Sequence, residues 1–178
     1  MSKIFVISDI WFNRILDNEP NANVVDNNEH IIQQWNQTVS TDDKVYVLGG
    51  FGIGDLYPVA IRLNGEIHFL NNMFNEDEKK YFKEFKDCLK KSSDKNIKNK
   101  FYFENNQMVV LNSMDAVLSY FPLSDWSGHL TGTYCFHGLT GTTNIDEHNI
   151  SCLAVNWEYC PVDIKNVQEN ISECSTRL

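Results

Sequence analysis

Apolar residues fall in short clusters along this chain, and the clusters change character near residue 100. Lys3–Ser8 and Lys44–Leu48 are compact, β-branched runs, the pattern of buried strands, and Glu66–Leu70 is a third. Between them the spacing lengthens. Ile31, Ile32, Trp35 and Val39 share one face of a helix over about Asn28–Val39, with Asp26 as its cap. Leu56–Leu63 predicts a short helix that tolerates Pro58 near its start. Glu76–Leu89 predicts an amphipathic helix, and Ser92–Lys100 a polar connection. From there on strands dominate: Phe101–Glu104, Gln107–Leu111, Ala116–Tyr120, Thr133–His137 and Ile150–Val155. Asp163–Ile171 reads as a closing helix. Alternating strands and helices followed by a strand-rich half predict a layered α/β domain with two packed sheets. No repeat or linker divides it, so residues 1–171 read as one domain and 172–178 as a loose C-terminal tail.

Composition narrows the function classes. At 178 residues the chain is long enough for a real core, and 42% hydrophobic with 22% charged residues is ordinary globular usage. No apolar run approaches the length of a membrane span, and no basic and apolar leader opens the chain. A cytoplasmic protein without membrane contact is expected. The net charge of −9 disfavours a polyanion ligand, so no nucleic-acid partner is expected. Lysines 79, 80, 83, 86, 90, 91, 95, 98 and 100 are a local exception, read as a solvated face diluted by acidic neighbours. The five cysteines contain no C-x-x-C pair, and reduced thiols are expected. His30, His129 and His148 read as exposed and His68 as a core or edge residue. No H-x-H or H-E-x-x-H pair marks a zinc site.

The strand-end loops are where an α/β sheet presents chemistry. They read Ser8-Asp9-Ile10-Trp11-Phe12-Asn13-Arg14, then Leu48-Gly49-Gly50-Phe51, then Leu70-Asn71-Asn72-Met73-Phe74. Later come Ser119-Tyr120-Phe121-Pro122-Leu123 and His137-Gly138-Leu139-Thr140-Gly141. Their order and framing residues, with Leu153-Ala154-Val155-Asn156-Trp157-Glu158-Tyr159-Cys160-Pro161-Val162 near the end, resemble the small single-domain calcineurin-like metallophosphoesterases. The resemblance implies a four-layer α-β-β-α sandwich of two mixed sheets. It also implies two divalent metals, such as manganese, activating a bridging water.

This chain departs from the family where the metals would bind. Asp9 and Asn72 stand at remnant ligand positions. Trp11, Gly50, Tyr120, Leu139 and Gly141 replace five of the seven ligands, and Met73 and Phe74 replace the proton-donating His and the Asp after it. His137 matches a histidine that is not usually a ligand, and Arg14 a phosphate-contacting one. With the bridging carboxylate absent, no metal site, cofactor or catalytic residue is expected. Trp11, Arg14, Met73, Phe74, Tyr120, His137 and Leu139 become candidate binding residues. The bulky replacements either fill the old cleft as core, form an aromatic patch for a protein partner, or line a small-molecule pocket. The expectation is a catalytically inactive scaffold that binds a protein as inhibitor, adaptor or assembly component. High Asn and Lys with few Pro hint at a phage source, hence the host cytoplasm. The alternatives are a residual single-metal phosphoesterase using Asp9, Asn72 and Asp55, or phosphate binding without turnover through Gly49–Gly54 and Arg14.

Overall fold

The computed structural model describes residues 2–14, 23–72, 76–138 and 148–175, with 172–175 as backbone only. The first half supplies β1 (Ile4–Ile7), α1 (Val24–Thr38), β2 (Lys44–Val47), α2 (Tyr57–Ala60), β3 (Glu66–Phe69), α3 (Glu76–Lys91), α4 (Lys95–Lys98) and β4 (Phe101–Phe103). The second half supplies β5 (Met108–Leu111), β6 (Ala116–Ser119), β7 (Tyr134–His137), β8 (Asn149–Ser151), β9 (Val162–Asp163) and α5 (Ile164–Ser175). Two mixed sheets result, ordered β4-β3-β2-β1-β9 and β5-β6-β7-β8. β1 to β4 are parallel, with Phe5 opposite Val45, Val45 opposite Ile67 and Ile67 opposite Phe101. β9 pairs antiparallel with β1, and β5 antiparallel with β6.

Strand alternation sorts the core into two layers. Phe5, Ile7, Val45, Val47, Ile67 and Phe69 face the helices and pack on Ile31, Trp35, Leu63, Phe82 and Phe85. Val6, Tyr46, Leu48 and Leu70 face the other way and meet Ala116, Leu118, Tyr134 and Phe136 between the sheets. The outer face of the second sheet is covered differently. Val117 and Cys135 lie under Leu123 and Trp126, which come from the segment between β6 and β7.

Several elements differ from the sequence reading. α1 begins at Val24 because Asn23, not Asp26, is its cap: Asn23 Oδ1 accepts the Asp26 N–H at 2.9 Å. Asp26 answers by accepting from Asn23 Nδ2 at 2.6 Å, so the two close the first turn reciprocally. The strand expected over Ile150–Val155 stops at Ser151. Leu153 makes an isolated bridge to Ser8 and Ala154–Trp157 coil into a 3₁₀ turn, with Glu158 and Tyr159 at positive φ. α5 runs on to Ser175, four residues into the segment read as tail. α4 interrupts the expected polar connection, capped by Asp94 Oδ1 on the Asn96 N–H at 2.8 Å.

Candidate functional site

β1 and β2 keep pairing beyond their regular ends, and this brings the chemistry-bearing loops together. The amides of Asp9, Trp11 and Phe12 donate to the carbonyls of Gly49, Gly50 and Phe51 at 2.9–3.0 Å. To keep that ladder, Asp9, Trp11 and Asn13 adopt φ of 55°, 56° and 63°, a rare state for residues with side chains. Asn13 anchors the turn. Its N–H donates to Asn28 Oδ1 at 2.9 Å, and its Nδ2 donates to the Ile53 and Asp55 carbonyls at 2.8 and 3.0 Å. Sequence reasoning missed this Asn13–Asn28 clamp, since asparagines in a polar loop carry no motif.

Asp9 is the centre of the arrangement. Ser8 Oγ donates to its Oδ2 at 2.7 Å and the Tyr120 hydroxyl to its Oδ1 at 3.2 Å. The Trp11 side chain adds a further hydrogen-bonding contribution. Burial raises the Asp9 pKa, and these three donors offset part of the rise. Tyr120 is pushed up strongly by burial and then by the Asp9 charge and hydrogen bond, with Glu78 contributing. The phenol therefore stays protonated and donates.

The glycines explain how this cluster closes. A Cβ on Gly50, whose φ is +59°, would lie 2.5 Å from Asp9 Oδ1. A Cβ on Gly49 would lie 2.6 Å from the Tyr120 ring. Gly138, just after β7, leaves room for Ser8 and Tyr120, and its N–H donates to the Tyr120 carbonyl at 3.0 Å. The Gly49–Gly54 loop, a phosphate cradle in one alternative reading of the sequence, is packed at this end against Asp9 and Tyr120. At Gly52 it lies against the Phe12 backbone.

Asn72 works as a tie between the sheets. Its Nδ2 donates to the Leu48 carbonyl at 2.8 Å and to the Gln107 carbonyl at 3.2 Å. Its Oδ1 is buried and has no hydrogen-bond partner among the described residues. Beside it, Gly50, Phe51, Asn72, Glu78 and Phe82 help line a cavity of only about 10 Å³, the size of one water. Glu78 is 8% exposed, a buried acid that sequence reasoning assigned to a solvated helix face. A helix-period argument places it one turn before Phe82, the one signal that could have found it.

The other expected site residues separate. Arg14 is exposed, with its guanidinium 5.4 Å from the Trp11 ring, and Trp11 is half-buried. Phe121, 45% exposed, sets its ring 5.2 Å from Tyr120 and extends the same rim. His137 is buried on β7, opposite Ser119 and Ser151. Met73, Phe74, Leu139 and Gly141 lie outside the described residues. Asp55 accepts the Tyr57 N–H at 3.2 Å at the start of α2 and is not joined to Asp9. His129 and His148, expected in solvent, are half-buried against Trp126 and Tyr134, at 4.0 and 4.8 Å between rings. His68 is core as expected, sandwiched by Tyr46 and Tyr102 and held by Glu66 and Glu104 at 2.7 Å. Of the lysine run, Lys100 turns inward onto the Ile61 and Leu63 carbonyls, and burial lowers its pKa.

A pair of divalent ions does not fit the residues present. Both Asp9 oxygens already accept protons from neighbours, and the Gly50 position leaves no space for a carboxylate. Among the described residues no three His, Cys, Asp or Glu side chains are grouped to hold a metal. Nor is any described helix long and apolar enough to cross a membrane.

Comparison with known proteins places the fold alone. No family model matches the chain, and no curated protein does. The crystal structure of AQ665, a protein of unknown function from Aquifex aeolicus, is similar over 96% of this chain and 100% of its own length. Its TM-score is 0.62 and its sequence identity 13%.

Proposed function

We propose that this chain is a catalytically silent, metallophosphoesterase-like scaffold of four layers that acts in the cytoplasm by binding another protein. The observation that carries the reading is the state of Asp9. Its carboxylate is clasped by Ser8, Tyr120 and Trp11, and Gly50 packs so close that a Cβ there would lie 2.5 Å from its Oδ1. Both carboxylate oxygens are engaged by neighbouring side chains, so neither is free to hold a metal or orient a nucleophile. Beside this pocket Trp11 and Phe121 reach the surface, with the Arg14 guanidinium next to the Trp11 ring. Trp and Arg are among the residue types that anchor interfaces.

The test pairs two measurements. Metal content and hydrolysis of bis-p-nitrophenyl phosphate with manganese are measured on wild type and Asp9→Ala. Neither bound metal nor Asp9-dependent turnover is expected. A partner recovered with the wild-type protein from its native extract should be lost with Trp11→Ala and Arg14→Ala. Stoichiometric metal, with turnover abolished in Asp9→Ala, would remove the proposal.

A further inference from the structure

We propose that the groove between α3 and the free edge of β4 binds an extended, acidic peptide segment of another protein. Lys86, Leu89 and Lys90 of α3, Lys98 of α4, and Phe101 and Phe103 of β4 line a cavity of about 460 Å³. Its floor is aromatic and rigid: Phe101 and Phe103 pack on Phe85 at 5.3 and 6.0 Å between rings. Its rim is cationic. Lys86 Nζ sits 4.4 Å over the Phe103 ring, half-buried, and burial together with Lys90 lowers its pKa. Among the described residues no carboxylate pairs with Lys86 or Lys98, and Lys90 has Asp87 alone, at 3.2 Å. Three lysines gathered round an apolar floor, in a chain of net charge −9, select an anionic occupant whose carboxylates reach the lysines while their methylene stems cover the floor.

The strand edge decides the form of that occupant. β4 is the last strand of its sheet. The Lys100 carbonyl and the Glu104 N–H face inward, to Ile67 and Phe69 of β3. In a parallel ladder successive residues alternate sides, so the peptide groups of Phe101 and Phe103 face outward. An edge offering both N–H and C=O matches another peptide backbone, whereas a phosphate chain would use the donors alone. Side chains two residues apart on such a strand are about 6.6 Å apart, so alternate carboxylates reach successive lysines while residues between them point to the opposite face. Lysines along the edge oppose pairing with a second, identical edge. The groove is also separate from the Asp9 pocket: Lys86 follows Glu78 by eight residues, about 12 Å along α3.

The probe is a fluorescein-labelled decapeptide of alternating glutamate and valine, titrated into the full chain at low salt and followed by anisotropy. Saturable binding is expected. Lys98→Glu, at an exposed position, and Lys86→Glu should each raise Kd by about tenfold, with circular dichroism confirming that both variants fold. N-methylation of all the backbone amides should abolish binding, and Trp11→Ala should leave it unchanged, which separates this groove from the proposed partner face. The inference is overturned by no binding, by an unchanged Kd in both lysine variants, or by equal affinity for the N-methylated peptide. Tighter binding of the lysine–valine counterpart or of ten-nucleotide oligothymidine would also overturn it. So would self-association of the chain that the Lys98→Glu change dissolves.

Discussion

Asp9 is an acid kept at some cost to the fold. Its folded pKa is raised by burial above the ordinary 3.8, so the folded chain holds the proton more tightly than the unfolded one. Stability is then greatest below 3.8 and declines as pH rises through the folded value. Asparagine keeps an acceptor for the Tyr120 hydroxyl and removes the charge. Asp9→Asn is therefore expected to raise Tm at neutral pH by about 2–4 °C, the shift that ~1 kcal/mol produces in a chain of this size. The gain should vanish in acid, where the wild-type carboxyl is itself protonated. Scanning calorimetry at several pH values reads this directly, and a lower Tm for the variant at pH 7 would show that the ionised form is wanted. At this scale the sequence displayed part of the site. Asp9, Trp11 and Tyr120 stood out because they occupy loops of recognisable frame. Glu78 did not, because a glutamate in the first turn of a helix is ordinary and only the packing of α3 on the Gly49–Gly52 loop buries it.

At the scale of elements, capping shows what local chemistry can and cannot specify. Asn23, Asp26, Asn27 and Asn28 are all cap-competent, and the hydrophobic stripe fixes only the later turns of α1. The contest is decided by the rest of the fold: Asn28 is drawn inward to hold Asn13, and Asn27 Nδ2 reaches the Arg14 carbonyl at 3.0 Å. Both lie inside the helix for this, and Asp26 donates its N–H to Asn23 and accepts from it on its carboxylate, so Asn23 is the cap. Asn23→Ala should cost about 1 kcal/mol, measured as a fall in urea midpoint without change of slope. The same logic explains the short strands. β9, with two residues, has no periodicity to detect and exists because β1 offers an open edge. The Leu153–Trp157 stretch looks like strand by composition, yet the Ser8–Leu153 bridge and the two positive-φ residues after it turn the chain.

For the whole molecule, the decisive feature is that β1 and β2 are buried on both faces. They carry continuous apolar runs, as strands buried on both faces do, but what foretold two sheets was the alternation of strands and helices followed by a strand-rich half. What the pattern could not state is how the second sheet is covered on its outside, because Trp126 and Leu123 lie in an irregular segment with no period. The two cores are joined through the same backbone: Phe5 and Ile7 point into one, Val6 into the other. Loss of either core should therefore take both sheets together. Phe136 is fully buried between the sheets, on β7, which shares no ladder with β1 to β4. Phe136→Ala is expected to cost about 3–5 kcal/mol through lost contact and residual cavity. Unfolding in urea, followed by far-ultraviolet circular dichroism and by tryptophan fluorescence, should nevertheless remain a single coincident transition. Trp35 reports from the helix-side core and Trp126 from the outer face of the second sheet, so the fluorescence samples both ends of the stack. Two separated steps in the variant would mean that the second sheet holds or loses its structure independently of the first. The coupling through Asn72, Ser8 and Tyr120 would then be too weak to keep the Asp9 pocket closed.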